Sequence, residues 1–383
     1  MKKNNNTRSK HTICVHEGLH NEGYRGINTP IYTSTSFGYL DTEERYYPRY
    51  FNIPNQKAVI EKVAALEHGE NGVLFSSGMA AVSATLLSFL NSGDHCIFQH
   101  GLYGGTQHFV MKDFERFGIE YTLLKNNTVE TFEKAIKNNT RVIYVETPSN
   151  PLLSIVDIAR IGALCRAHKI ISVIDNTFAS PINQNPILLG IDVVVHSATK
   201  YLGGHSDICA GVVVSSQTHV DRILGTSMNF GGSLNAMMCY LLERSIKTLA
   251  IRVEKQNRNA GEIATFLHGL PQISKVFYPG LEDHAGHAIA KQQMMGFGGM
   301  LSFELEGQDI NKFQKNLRLI KPSMSLGGVE TIICAPVTTS HRLVPKKQRE
   351  EDGIRDNLLR LSVGIEEPEE IIDDLRKALS QKD

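Results

Sequence analysis

The chain has no tryptophan, and nothing follows from that; its other absences each close off a class of protein. No window approaches the roughly 18 uninterrupted apolar residues of a membrane-spanning helix, so none is expected. Residues 1–10 are polar and contain no apolar core, so a secretory signal is not expected either. Charge of one sign is not in excess: Lys plus Arg is 40, Asp plus Glu is 40, and the formal net charge is zero. That balance argues against an obligate nucleic-acid binder and gives no reason to expect a polybasic membrane anchor or an acidic tail. The six cysteines (Cys14, Cys96, Cys165, Cys209, Cys239 and Cys334) form no C-x-x-C pair, and several sit inside apolar runs. They read as buried thiols of a reducing compartment, not as a disulfide frame or zinc site, and the cytoplasm is the expected location. No G-x-G-x-x-G follows an apolar run, which disfavours a nicotinamide oxidoreductase. There is no internal repeat and no low-complexity tract beyond the Asn-rich start.

What is present is an ordinary globular composition, 41% hydrophobic and 21% charged over 383 residues, enough for two domains and a large core. Residues 1–12 read as a polar, mobile arm. An irregular, aromatic-rich segment then runs to Tyr50-Phe51. A helix is expected from Pro54-Asn55, with Val59, Val63 and Leu66 on one face and a stop at Gly69. Beyond it, short apolar runs at 72–75, 96–99, 141–145, 170–174, 192–195 and 211–214 alternate with helical stretches at 80–90, 113–117, 129–136 and 155–168. This alternation predicts an α/β domain, a mostly parallel sheet flanked by helices. After about residue 240 the pattern changes to one long helix over 239–268, strands at 299–304 and 358–363, and a charged helix at 367–379. That predicts a smaller C-terminal α+β domain. The division is therefore an N-terminal arm at 1–50, a large domain at 51–240 and a C-terminal domain at 241–383.

Ligands of open α/β sheets bind beyond the carboxyl ends of the strands, so the residues after each apolar run are read as a set. After the first run stands Ser76-Ser77-Gly78-Met79-Ala80. A small turn opening a helix offers free N–H groups to a phosphate, although the same residues also make a plain tight turn. After 170–174 comes Asp175-Asn176-Thr177, where the acid is either a helix cap or a functional carboxylate. After 192–195 comes His196-Ser197-Ala198-Thr199-Lys200-Tyr201-Leu202-Gly203-Gly204-His205. A lysine straight after a buried strand either snorkels to the surface or is an amine whose lowered pKa suits Schiff-base formation with a carbonyl. Turn, acid and lysine together meet the needs of pyridoxal 5'-phosphate: a phosphate cradle, a carboxylate for the pyridine nitrogen and an amine for the aldehyde.

Over nearly its whole length the chain resembles the cysteine/methionine-metabolism enzymes of pyridoxal-phosphate fold type I. These are the cystathionine γ-synthases, cystathionine γ- and β-lyases and methionine γ-lyases. The lysine segment carries the resemblance. Further matches are Leu102-Tyr103-Gly104-Gly105-Thr106, Glu146-Thr147-Pro148-Ser149-Asn150-Pro151, Ser325-Leu326-Gly327-Gly328 and Arg360-Leu361-Ser362-Val363-Gly364-Ile365-Glu366. The resemblance implies an aspartate-aminotransferase-like fold with Lys200 as the cofactor-bearing lysine and proton shuttle, and Asp175 on the pyridinium. It assigns Ser77, Gly78, Met79, Ser197 and Thr199 to the phosphate and Tyr103 to the ring face and catalysis. Asn150, Ser325 and Arg360 fall on the substrate carboxylate, with Arg360 as a bidentate clamp. Tyr47 and Arg49 would reach the phosphate of a neighbouring subunit, in a homo-oligomer that the family usually builds as a tetramer, a dimer of dimers.

The implied activity is that of a carbon–sulfur lyase. It would act on a small sulfur amino acid by cystathionine β- or γ-elimination or methionine γ-elimination, giving a thiol, a 2-oxo acid and ammonia. The alternative is synthase-type γ-replacement on an O-acyl-homoserine; a non-catalytic scaffold would need no Lys200, Asp175, Tyr103 and Arg360 together. Four departures bear on this. The family commonly reads Tyr-x-Arg-x-x-Asn-Pro-Thr, where this chain has an extra Pro48 and a displaced Pro54. The segment Cys334 to His341 departs from the usual Pro-Ala-x-Met-Thr-His. Met324 stands where synthases and γ-lyases usually place a glutamate, and Gly105 where methionine γ-lyases carry a cysteine. His11, Cys14, His16 and His20 fit no zinc spacing and read as arm residues. His284 and His287 read as a polar loop, and 346–352 as a solvated charged face.

Overall fold

The computed structural model describes residues 8–20, 25–342 and 344–381. Its larger sheet takes seven strands: β1 (Asn71–Phe75), β2 (His95–Phe98), β3 (Glu120–Leu123), β4 (Thr140–Glu146), β5 (Ile171–Asp175), β6 (Val193–Ser197) and β7 (Gly211–Ser215). They lie in the order β1-β7-β6-β5-β4-β2-β3. The run from β6 to β3 is parallel, while β7 is antiparallel to both β6 and β1. The uninterrupted valines explain the interior strands. Val193, Val194 and Val195 on β6 and Val212, Val213 and Val214 on β7 are fully buried, as strands covered on both faces must be. Each such valine contributes about 1.5–3 kcal/mol relative to exposure.

A second sheet takes β8 (Ile273–Phe277), β9 (Met300–Leu305), β10 (Lys321–Pro322), β11 (Ile332–Cys334) and β12 (Leu358–Ser362), in the order β10-β11-β12-β9-β8. Its core joins Leu301, Phe303, Leu359 and Leu361 to Ile371 and Leu375 of the helix Pro368–Ser380. β12 therefore lies inside this sheet, not at its edge.

Several elements differ from the sequence expectation. The arm is not wholly free: Lys10–His16 is a helix capped by Ser9, with Ile13 and Cys14 buried. The Lys10 ammonium donates to the carbonyls of Pro181 and Ile182 at 2.5 and 3.0 Å, which anchors it; residues 1–7 lie outside the described residues. The helix expected at 113–117 is instead Gly104–Asp113 followed by a 3-10 turn, Glu115–Phe117. The two glycines that open it mask its start, since glycine is a poor helix former. The long helix expected at 239–268 is two, Ala236–Ile246 and Leu249–His268, broken at Thr248. The buried Arg252 guanidinium explains why the break is tolerated. It donates to the carbonyl of Ser245 at 3.0 Å and to that of Tyr201 at 2.9 Å. The first-helix stop is His68 in the left-handed region, one residue before Gly69.

Candidate active site

Parallel strands deliver their carboxyl ends to one edge. Glu146 closes β4, Asp175 closes β5 and Ser197 closes β6, and Glu146 and Asp175 are register partners. A cavity of about 910 Å3 opens at this edge, with Gly78, Tyr103, Asp175, Lys200, Ser325 and Arg360 in its walls. That volume is within the range of small-molecule sites. Of the residues singled out in the sequence, Ser77, Met79, Asn150, Ser197, Thr199 and Met324 also line it. Tyr47 and Arg49 do not. They lie in a separate recess with Gly231 and Gly232, where Arg49 donates to the carbonyl of Met228 at 2.8 Å.

The turn after β1 is a helix N-terminus. Ser77 caps the helix Gly78–Phe89 by accepting from the Ala80 N–H, which leaves the N–H groups of Gly78 and Met79 without intrahelical acceptors. A Cβ on Gly78 would stand 2.7 Å from Cβ of Ser197, so only glycine lets the helix start approach β6 this closely. Thr199 is partly committed: its Oγ1 donates to the Ala210 carbonyl and accepts from the Ala210 N–H. Asp175 accepts from the Thr177 N–H at 2.9 Å. Burial pushes Asp175 upward from the usual carboxylate range, while its bonds to Thr177 and then the nearby His196 pull it back.

Lys200 follows β6 by three residues and donates to the Ser325 hydroxyl at 2.8 Å. Burial, and next the Arg360 charge, pull its pKa down from 10.5 to about 8, which makes the free amine accessible near neutrality. Ser325 has φ +88°, a left-handed conformation that turns its hydroxyl toward Lys200 and its carbonyl toward Arg360. Arg360 comes from the middle of β12, between Ser302 of β9 and Cys334 of β11. It is 5% exposed and donates to Oδ1 of Asn150 at 2.8 Å and to the Ser325 carbonyl at 2.9 Å. Its Nε has no partner, and no carboxylate pairs with it among the described residues. A buried guanidinium with a vacant donor calls for an anion.

These residues fit pyridoxal 5'-phosphate: a cradle of free N–H groups that a Cβ would fill, a carboxylate at the floor and a pKa-lowered amine above it. The sequence reading missed two further wall residues. Glu146 ends its apolar run just as Asp175 ends its own, which was the available signal. Arg342 is exposed at the rim without an ion-pair partner among the described residues, and it directly follows the segment that departs from the common motif.

Comparison with known proteins agrees with this chemistry. The chain is 43% identical to a cystathionine beta-lyase of Lactococcus lactis subsp. cremoris over 377 residues, 97% of this chain and 99% of the relative. It is 41% identical to a cystathionine gamma-lyase of Bacillus subtilis (strain 168), with the same coverage. A solved cystathionine gamma-lyase from Lactobacillus plantarum, complexed with L-serine, superposes with a TM-score of 0.94 at 39% identity, covering 97% of this chain and 99% of that one. Residues 11–380 match the family described as Cys/Met metabolism PLP-dependent enzymes, and with the lysine, the acid and the phosphate cradle all at one strand edge, it is to this family that the chain belongs.

Proposed function

We propose that the protein is a carbon–sulfur lyase acting on cystathionine, releasing a thiol, a 2-oxo acid and ammonia. The observation that carries the reading is the chain Lys200–Ser325–Arg360, which sets a basic amine and an unpaired guanidinium in one cavity. Bound there, pyridoxal phosphate supplies an electron sink for negative charge at the substrate α-carbon. Arg360 holds the substrate α-carboxylate, with Asn150 fixing its orientation. Lys200 Nζ takes the α-proton and returns it at the carbon or sulfur that needs it, steered by Ser325 Oγ. Gly78, Met79, Ser197 and Thr199 hold the phosphate, Asp175 the ring nitrogen, and Tyr103 covers the ring.

Cystathionine is favoured over methionine by two features. A Cβ on Gly105 would stand 2.5 Å from the Tyr103 ring, so this position has no room for the side chain that methionine γ-lyases carry unless that ring moves. Arg342 at the rim also offers a cation to a second carboxylate, which cystathionine has and methionine lacks. Incubation with cystathionine tests the reading: pyruvate with homocysteine marks β-elimination, 2-oxobutyrate with cysteine marks γ-elimination. Turnover of methionine alone would overturn the substrate, and product formed only when cysteine and an O-acyl-homoserine are both supplied would make the enzyme a synthase.

The oligomer and the domain division belong to the same proposal. Tyr39, Leu40, Tyr47 and Tyr50 are exposed, and Arg49 stacks on Tyr47 and Tyr50 away from the chain's own cavity. We assign this segment to the site of a neighbouring subunit in a homotetramer, and residues 51–240 and 241–383 to the cofactor and clamp domains. The cytoplasm is the compartment that free thiols suit, five of the six cysteines being buried. No helix among the described residues is long and apolar enough to cross a membrane.

A further inference from the structure

Glu146 has no part in the site as described so far, yet it stands in the wall of the cavity beside Asp175. Its Oε2 accepts from the Tyr103 N–H at 2.7 Å. Its own backbone is clamped on both sides by Gln99, whose Nε2 donates to the Glu146 carbonyl and whose Oε1 accepts the Glu146 N–H, each at 2.8 Å. The side chain is thus rigidly aimed. Its target is the backbone of Tyr103, an aromatic residue of the cavity wall at the entry to the helix Gly104–Asp113. Among the described residues no other side chain holds Tyr103 there: its carbonyl accepts from the Gln107 N–H at 3.0 Å, the helix has no side-chain N-cap bond, and the ring lies close to the bare Gly105.

The charge state follows from the surroundings. Two carboxyl groups end adjacent strands in the cavity wall, Glu146 being 5% exposed and Asp175 partly buried. No lysine or arginine pairs with either among the described residues. Two like charges so placed cannot both persist. The groups around them are unequal. Asp175 has the Thr177 hydrogen bonds and the nearby His196 ring on its side, both favouring the ionised form. Glu146 has one hydrogen bond, from the Tyr103 N–H, with the hydroxyls of Tyr144 on its own strand and Thr106 on the adjoining helix nearby but not bonded to it. The Tyr144 and Thr106 hydroxyls and Glu146 Oε1 lack any settled hydrogen-bond partner, which leaves Oε1 free to carry a proton. Arg360, across the cavity, is spent on Asn150 and Ser325.

We propose that Glu146 is a positioning residue of this site, an uncharged acid whose Oε2 holds Tyr103 over the cavity while Asp175 keeps the only carboxylate charge at its floor. Burial, and next the neighbouring Asp175, push the Glu146 carboxyl well above the usual carboxylate range, in the same direction as the geometric argument. The arrangement has a chemical reason. A second negative charge beside Asp175 would be shared with the ring nitrogen and would also repel the substrate carboxylate. A neutral acceptor there fixes the tyrosine without adding that field.

The test separates acceptor from charge. Glu146→Gln keeps an oxygen that can accept from Tyr103 and is neutral at every pH; Glu146→Ala is neutral too but removes the acceptor. The readouts are the visible circular dichroism of bound pyridoxal phosphate and its dissociation constant by equilibrium dialysis, neither of which needs turnover. E146Q is expected to hold the cofactor within about threefold of wild type, with the same dichroism and an unshifted spectral pH profile. E146A is expected to lose at least half of the dichroism and about tenfold in cofactor affinity. E146Q behaving like E146A would overturn the uncharged state, and E146A matching wild type would overturn the positioning role. A cofactor-free infrared difference between wild type and E146Q at pH 8 gives a direct reading. The protonated-carboxyl stretch is expected in wild type, and a carboxylate band in its place would refute the proposal. E146Q failing to fold would count against it equally, because a neutral isostere should be accommodated; E146A failing to fold leaves E146Q and the infrared measurement decisive.

Discussion

Replacing Arg360 by lysine is the sharpest probe of the substrate site, because the structure says which part of the guanidinium is free. One Nη is engaged by Asn150 and the other by the Ser325 carbonyl, while the buried Nε has no partner. The substrate carboxylate must then approach the side of the fork that carries Nε. Lysine keeps the positive charge but not this fork. The loss is about one charge-assisted hydrogen bond, roughly 1.5–3 kcal/mol. At 1.36 kcal/mol per tenfold, KM should rise about 10- to 150-fold. Truncation to alanine removes the charge as well and should cost about 2–5 kcal/mol, or roughly 30- to 4,000-fold. In both variants kcat should fall much less than KM rises, because Lys200, the proposed proton carrier, hydrogen-bonds Ser325 and not Arg360. The assay is 2-oxo acid release against cystathionine concentration, with cofactor occupancy checked by absorbance. A KM within about twofold of wild type in both variants, with kcat lost, would refute the clamp and place the carboxylate elsewhere.

Lys200→Ala should abolish turnover while leaving phosphate-dependent cofactor uptake measurable, and borohydride should fix the cofactor to the wild-type Lys200 peptide but not to the variant, as read by peptide mass. In the cofactor-free protein the Lys200 pKa is lowered from 10.5 to about 8, so the unfolded chain binds the extra proton between those values. Stability should therefore fall as pH drops from about 10.5 to about 8 and level off below, a slope that Lys200→Met should remove in urea midpoints measured across that range. Gly78→Ala places a Cβ 2.7 Å from Ser197 and should weaken cofactor affinity by at least tenfold in equilibrium dialysis. Mixing Lys200→Ala with Arg49→Ala subunits should restore activity that neither has alone, through hybrid sites holding an intact Lys200 and a neighbour's Arg49; no recovery after reassembly would place Arg49 outside the active site.

The strand order of chemistry was legible because buried parallel strands announce themselves as unbroken apolar runs, and each run ends where a ligand-facing residue begins. Lys200 stood out on those grounds, since a lysine five residues beyond Val195, among Ser197, Thr199 and two glycines, is out of place beside a buried strand. What stayed hidden depends on contacts distant in sequence. The break at Thr248 could not be read from a helical pattern with a single glycine, because it is held by Arg252 reaching Tyr201. β3 and β11, the latter only three residues long, lack the length for a clear period, and the glycines of Gly104–Asp113 disguised a helix as a turn. Glu146 looked like a motif residue because its partner, Asp175, is 29 positions away and adjoins it only through the β4–β5 register.

The neutral charge balance of the chain conceals a division of labour between the two sheets. The seven-stranded sheet brings the acids Glu146 and Asp175 and the amine Lys200 to its edge, and the five-stranded sheet brings Arg360. The like charge of Arg360 lowers the basicity of the Lys200 amine, and among the described residues Ser325 hydrogen-bonds both, by its hydroxyl and its carbonyl. On the proposed function, an incoming α-carboxylate would neutralise Arg360, lift the repulsion acting on Lys200 and raise the proton affinity of the amine at the moment it must accept the α-proton. Substrate binding and proton abstraction are in this way coupled through two sheets and one serine. Ser325→Ala should uncouple them, leaving the carboxylate site intact while slowing the proton step, and a solvent or α-deuterium isotope effect on kcat that grows in this variant is the expected sign.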